Sequence, residues 1–213
     1  MIFTEFIKNL EHELARPLPG MQVHLRMTSN RRLRELMNFN QQDQAIKSSV
    51  LILLYPGRDI PDPTFVVTLR PTYDGIHSGQ ISLPGGRFEF EDKDLMHTAL
   101  RETREEVGIN ADDITIIGRL TELYIPPSNY LVHPFVGYTQ ECPIFHAQQN
   151  EVEKIIEIPL GQLLDENNVE EKEITAGGFH FKAPAFAMNG TNIWGATAMI
   201  LNEFKEIVLR PGL

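Results

Sequence analysis

One helix in the middle of the chain constrains the fold more than any other segment. Residues 94–108 read Asp-Leu-Met-His-Thr-Ala-Leu-Arg-Glu-Thr-Arg-Glu-Glu-Val-Gly. The spacing of Met96, Leu100, Thr103 and Val107 predicts one inner stripe, and Gly108 is placed to end the helix in a left-handed cap. Short β-rich runs flank it: residues 49–55 and 64–70 before, residues 114–120 and 132–138 after. A helix set between strands must bury its stripe on a sheet, so the expected class is mixed α/β, with a mixed β-sheet packed between helices.

Other segments fill in that plan. Residues 2–14 have helical spacing, with Ile2, Phe3, Phe6, Ile7, Leu10 and Leu14 on one face, and Pro17, Pro19 and Gly20 end them. A second short helix is expected at residues 31–37. Residues 155–164 begin as a strand and pass through Pro159 into a short helix. Residues 179–188 alternate like a strand, and residues 193–208 read as a closing helix. In that helix Trp194, with Ala196, Ala198 and Ile200, is expected in the core. The 213 residues fit a single domain, residues 1–213, in which residues 1–45 form a helical extension to a core of residues 46–213.

Charge and composition exclude some functions. The formal net charge of −10 is the wrong sign for a non-specific nucleic-acid binder, which must neutralise phosphates. An acidic chain can still take phosphates through a bound cation, which reverses the local field. The single cysteine, Cys142, cannot form an intrachain disulfide, which fits a reducing compartment. No apolar run approaches the length of a membrane span. The expectation is a cytoplasmic protein with neither nucleic acid nor membrane as partner.

The acids of the central helix are misplaced for stability alone. Glu102, Glu105 and Glu106 stand at i, i+3 and i+4, so they are surface neighbours and repel. Glu105 and Glu106 also lie in the last turn, where the helix dipole disfavours negative charge. A solvated acidic face explains most glutamate pairs. It does not explain acids at this end beside Gly85-Gly86, whereas a divalent cation explains both. Carboxylates and backbone carbonyls are hard ligands suited to Mg²⁺ or Mn²⁺, and glycines let the backbone come close to a metal or phosphate. Arg101 can hold the array by pairing with Glu105 or with a loop acid.

These residues carry a resemblance. Residues 86–109, ending in Arg101-Glu102-Thr103-Arg104-Glu105-Glu106-Val107-Gly108-Ile109, resemble the Nudix box, with Thr103 in place of its first apolar residue. The first half departs: its loop is one residue longer, and Lys93, between Asp92 and Asp94, stands where the box has Glu. A second block, Thr68-Leu69-Arg70 and His77-Ser78-Gly79-Gln80-Ile81-Ser82-Leu83-Pro84-Gly85-Gly86, is similar to the signature of the coenzyme A diphosphatase branch. So are the longer loop with Asp92, the runs 97–103, 150–152 and 158–160, and Ile193-Trp194-Gly195-Ala196-Thr197-Ala198. Here Gly75 stands where that branch has Arg, Leu83 where it has Phe, and Pro71 where it has a small residue.

The resemblance implies a Nudix fold and Mg²⁺-dependent hydrolysis of a diphosphate linkage, with a small-molecule nucleotide diphosphate as partner. Coenzyme A or an acyl derivative is the leading substrate, giving 3′,5′-ADP and 4′-phosphopantetheine or its acyl form. Glu102 and Glu106, helped by Glu105 and the Gly86 carbonyl, are the expected metal ligands. Glu105 is the first choice of general base and Glu151 the second, with Arg101 supporting catalysis. Arg70 is placed to clamp a phosphate, and His77 and Gln80 offer donors. Bland roles stand beside these: a surface ion pair for Arg70, loop bracing for His77 and Gln80. Three other readings stay open: a different nucleoside diphosphate derivative such as ADP-ribose, a sugar nucleotide or a dinucleotide; a non-catalytic nucleotide-binding module; and a scaffold whose acids are merely solvated. A homodimer is compatible with all of them.

Overall fold

The computed structural model describes residues 2–29, 44–58, 62–72, 78–176 and 178–212. The short helix expected at residues 31–37 lies outside them.

The longest strand shows why the core has two faces. β1 (Ile46–Pro56) carries an unbroken apolar run because both of its faces are covered. Ile52 and Leu54 point into one apolar cluster; Leu51, Leu53 and Tyr55 point into another. β1 pairs antiparallel with β2 (Pro63–Leu69) and parallel with β7 (Tyr130–Tyr138). β2 carries the short β3 (Ile81–Ser82), and β4 (Gly85–Arg87) pairs with β1. β7 carries β5 (Thr115–Arg119) and β6 (Leu123–Ile125), and β8 (Lys154–Pro159) pairs with β2. The result is the mixed sheet the sequence predicts.

One face packs against α1 (Phe3–Leu14) and the closing helix α5 (Gly195–Val208); the other packs against the central helix α3 (Leu95–Val107). The face of α1 predicted from spacing is right in large part: Phe3, Phe6, Ile7, Leu10 and Leu14 are buried, while Ile2 precedes the helix and is exposed. They share their cluster with β1, β2 and α5, so the N-terminal helix is built into the same core as the sheet. A short helix not anticipated, α2 (Met21–Arg26), follows Gly20, and Asn202 of α5 donates to its Val23 carbonyl at 2.9 Å.

Two details of the sequence reading need correction. In α3 the inward positions are Ala99, Thr103 and Val107, with Thr98 and Glu106 also buried; Met96 and Leu100 are only half-buried. Spacing predicts a stripe through the larger apolar residues, but the helix sits so close to the sheet that small Ala99 takes the contact. At the C-terminus, β11 (Thr191–Trp194) is a strand and the helix begins at Gly195. Trp194 is therefore not a core residue of a helix. β11 pairs with β10 (Phe179–Met188), which pairs with β9 (Val169–Ala176), giving a separate three-stranded antiparallel sheet. The chain between β8 and that sheet includes the predicted short helix, α4 (Leu160–Leu164).

Candidate functional site

Asp94 caps α3 by accepting from the His97 backbone N–H at 2.9 Å, and Gly108 ends it with φ of 80°. The caps fix where the helix begins and ends, and its packing against β1 and β4 sets the direction of each glutamate. Glu106 turns inward toward β4 and is almost buried, with its side chain 5% exposed. Glu102 lies next to it. Glu105, one position earlier than Glu106, points outward and is 44% exposed.

The glycine pair before the box loop is required by steric fit. Gly85, at φ of 154°, packs so tightly on β1 that a Cβ would sit 2.2 Å from the Ser49 carbonyl oxygen. At Gly86 a Cβ would sit 2.3 Å from Glu102 Oε1. The two replacements should fail differently. Gly85→Ala collides with backbone and should lower the melting temperature sharply. Gly86→Ala collides only with a side-chain tip that can swing away, so the fold should survive while the carboxylate is displaced. We expect near-wild-type melting for Gly86→Ala with activity down by about 100-fold, on the scale of a 1 Å misplacement. Thermal unfolding and turnover on the same preparations check this.

Arg101 is the organiser of the array. Its Nε and Nη2 donate to the two Asp92 oxygens at 2.9 and 3.0 Å, its Nη1 to Glu102 at 2.9 Å and Glu105 at 3.0 Å, and its Nη2 also to the Arg87 carbonyl at 3.0 Å. The sequence left Glu105 and a loop acid as alternatives; Arg101 binds both. Asp92, seen as a flanking residue of the box loop, is the acid that matters to it. Asp92 also accepts from Thr98 at 2.9 Å and from the Glu89 backbone at 3.0 Å. Its hydrogen bond from Arg101 holds the Asp92 carboxyl down at about 2.

Glu102 and Glu106 are pushed the other way. Burial raises the Glu106 carboxyl to about 8; Glu102 and Glu151 add to the rise, while Arg70 and the Gly85 N–H oppose it. Burial also raises Glu102, with Glu105 and Glu151 adding and Arg101 opposing. Glu102, Glu106 and Glu151 thus feel one another across a common space. Gly85 N–H donates to Glu106 Oε2 at 3.3 Å, and Arg70 Nη2 lies 3.9 Å from Glu106 Oε1. Arg70 directly follows β2, and its Nε donates to Ser82 at 3.3 Å.

These groups line a cleft of about 690 Å³. Glu102, Glu106, Glu151, Gly86, Arg70 and Gln80 all border it. Glu105 and Arg101 do not. Gln80 also accepts from the Arg70 backbone N–H through its carbonyl, at 3.0 Å. His77 and Gly75 lie outside the described residues. Past the acids the cleft is walled by Trp194 and Phe181, which sequence reasoning had not placed there.

Among the described residues, no three His, Cys, Asp or Glu side chains are gathered into a cation cage. The site offers one buried carboxylate, Glu106, one half-buried carboxylate, Glu102, and nearby backbone oxygens instead. That open donor set suits a hard cation that keeps much of its water. A cation there would relieve the repulsion that adds to the effect of burial on Glu102 and Glu106. Among the described residues no helix is long and apolar enough to cross a membrane.

Comparison with known proteins agrees with this geometry. Residues 46–177 match the model of the NUDIX domain. The chain is 34% identical over 168 residues to the human mitochondrial coenzyme A diphosphatase NUDT8, covering 78% of this chain and 70% of that one. It is likewise 34% identical over 148 residues to the Nudix hydrolase NudL of Yersinia enterocolitica, covering 70% and 75%. A MutT/nudix family protein from Enterococcus faecalis shares the fold, with a TM-score of 0.51 over 91% of this chain and 75% of that chain, at 13% identity. A glycine-lined cleft with inward glutamates on one capped helix, in a chain matched so broadly, places this protein in the Nudix hydrolase family.

Proposed function

We propose that this protein hydrolyses the diphosphate linkage of coenzyme A or an acyl derivative, with Mg²⁺ or Mn²⁺ bound at Glu102 and Glu106. The observation that carries this is the apposition of those two carboxylates and Gly85-Gly86 in one cleft with Arg70 and Glu151. The similarity to NUDT8, named a coenzyme A diphosphatase, supports coenzyme A over other Nudix substrates.

Each residue then has a task. Glu102 and Glu106 hold the cation, with the Gly86 carbonyl as a further oxygen ligand. A cation held there would supply neutralisation of the diphosphate oxygens and would acidify a water. Glu151, on the cleft wall, accepts the proton of the attacking water. This favours Glu151 over Glu105 as base, because Glu105 faces outward and its carboxylate is engaged by Arg101. Arg101 and Asp92 are positioning residues: they fix Glu102 without reaching the substrate. Arg70 donates to a phosphate oxygen, its link to Glu106 being long enough to yield.

The test is a panel of diphosphates with Mg²⁺, products identified by mass. We expect 3′,5′-ADP and phosphopantetheine, and a kcat/KM for coenzyme A or an acyl form above that for ADP-ribose or nucleoside triphosphates. A tenfold preference for ADP-ribose, about 1.4 kcal/mol in the transition state, would overturn the substrate assignment.

A further inference from the structure

The cleft has two chemically distinct halves. Its charged residues, Arg70, Arg87, Glu102, Glu106 and Glu151, come from the sheet, α3 and the segment before β8. Among the described residues, none that β9, β10, β11 and α5 contribute to it is charged. That half is walled by Phe181, Ala183, Trp194 and Ile200. Apart from Ala176 on β9, these cleft residues follow residue 177, where the match to the domain model ends. Phe181 and Trp194 meet edge to face, with centroids 5.9 Å apart and planes at 72°. Such a corner offers one ring face and one ring edge, not a parallel slot.

We propose that this C-terminal aromatic corner is the subsite for the uncharged arm of the substrate, the pantetheine side with any acyl group on its sulfur. Phe181 and Trp194 are its specificity-determining residues. The inference rests on the coenzyme A reading above. Charge decides the direction of binding. The nucleotide end of coenzyme A carries a 3′-phosphate, and burying a phosphate anion against a wall without a cation is costly. The pantetheine arm carries no charge, and an acyl chain gains about 25 cal/mol for each Å² of apolar surface it buries. A flexible chain can also follow the corner between the two rings, where no parallel slot is formed to sandwich a flat base.

Trp194 is the only tryptophan of the chain, so its fluorescence reports this wall alone. The experiment titrates the full-length protein, without metal, with each product half separately: S-octanoyl-4′-phosphopantetheine and 3′,5′-ADP. The proposal expects the acyl half to shift or quench the emission at saturation and 3′,5′-ADP to leave it unchanged. A response to 3′,5′-ADP alone, or to neither, overturns it. Turnover by Trp194→Ala and by the milder Phe181→Leu, with Mg²⁺, gives the second reading. kcat/KM should fall at least about tenfold further for octanoyl-coenzyme A than for free coenzyme A. An equal loss for both would show that the corner does not take the acyl group on the sulfur and overturn the proposal. If no coenzyme A compound is turned over by the unaltered protein, the functional reading falls as well. If they are turned over and 3′,5′-ADP alone perturbs Trp194, only this placement falls.

Discussion

Glu106→Gln should abolish most turnover while making the metal-free protein more stable. The amide keeps the size of the carboxylate and can still accept from Gly85 N–H, so the fold loses little. A lost cation ligand should cost more than about 100-fold in activity, beyond what removing an outer partner costs. The stability gain has a pH signature. Burial, reinforced by Glu102 and Glu151, raises the folded carboxyl to about 8. Between the ordinary glutamate range and pH 8 the unfolded chain has released this proton and the folded chain retains it. Folded protein then binds more protons, so stability falls as pH rises through that window and levels off above it. The slope approaches about 1.4 kcal/mol per pH unit for one such group. The amide of the variant has no proton to lose, so its advantage should widen from pH 5 to 8. Melting curves across that range, with and without Mg²⁺, measure it. The Mg²⁺-induced rise in melting temperature should also shrink, because ligand stabilisation follows affinity. Wild-type turnover would remove the cluster as the cation site. A pH-independent difference would remove the account of its burial.

Glu203→Ala should be the most damaging single change away from the cleft. Glu203 sits on α5 with its side chain fully buried, as is that of His24 on α2. Its two oxygens accept from four donors: Gly20 N–H at 2.9 Å, Thr121 Oγ1–H at 2.6 Å, Thr121 N–H at 3.0 Å and His24 Nε2 at 2.9 Å. Among the described residues His24 Nδ1 finds no partner, which places the imidazole proton on Nε2, facing the carboxylate. Burial alone would raise Glu203, but the hydrogen bonds from His24 and Thr121 outweigh it and hold the carboxyl low. Truncation strands these donors in the core and should cost about 3–5 kcal/mol, which lowers the melting temperature by roughly 10 °C in a chain of this size. Since the folded carboxyl is depressed, its contribution is present above the ordinary glutamate range and is lost as the pH falls through the folded value. Turnover per folded molecule should change little. A shift below about 1 kcal/mol would show that the cluster is not what joins α2, the segment at Thr121 and α5.

Local chemistry made part of this protein legible in its sequence. The apolar run of β1, the face of α1 and the Asp94 and Gly108 caps of α3 follow from alternation, helical spacing and capping, all set within a few residues. The unfavourable placement of Glu102, Glu105 and Glu106 could be read the same way, because i, i+3 and i+4 neighbours are fixed once a helix forms. Where local signals are weak, an element goes unread. β9 reads Val-Glu-Glu-Lys-Glu-Ile-Thr-Ala, is largely exposed and carries no strong strand pattern, yet it pairs with β10 along its whole length. Its stability lies in a partner that the local sequence does not show.

Tertiary structure alone decided the division of labour among the acids. Spacing makes Glu105 and Glu106 near equals, but the approach of α3 to β4 turns Glu106 into the cleft and leaves Glu105 outside with Arg101. It also brought Glu151 to the same cleft from a distant segment. It turned Trp194 from an expected core residue into a cleft wall, because β11 continues through it before α5 begins. The buried Glu203 cluster was equally hidden: Gly20 with His24, Thr121 and Glu203 come from three distant segments of the chain, and no periodicity marks them. What the sequence determined by itself was the strongly patterned elements and the chemistry they carry. Which side chains face one another depends on how those elements pack, and that is set by close fit over the whole core rather than by any local run of residues.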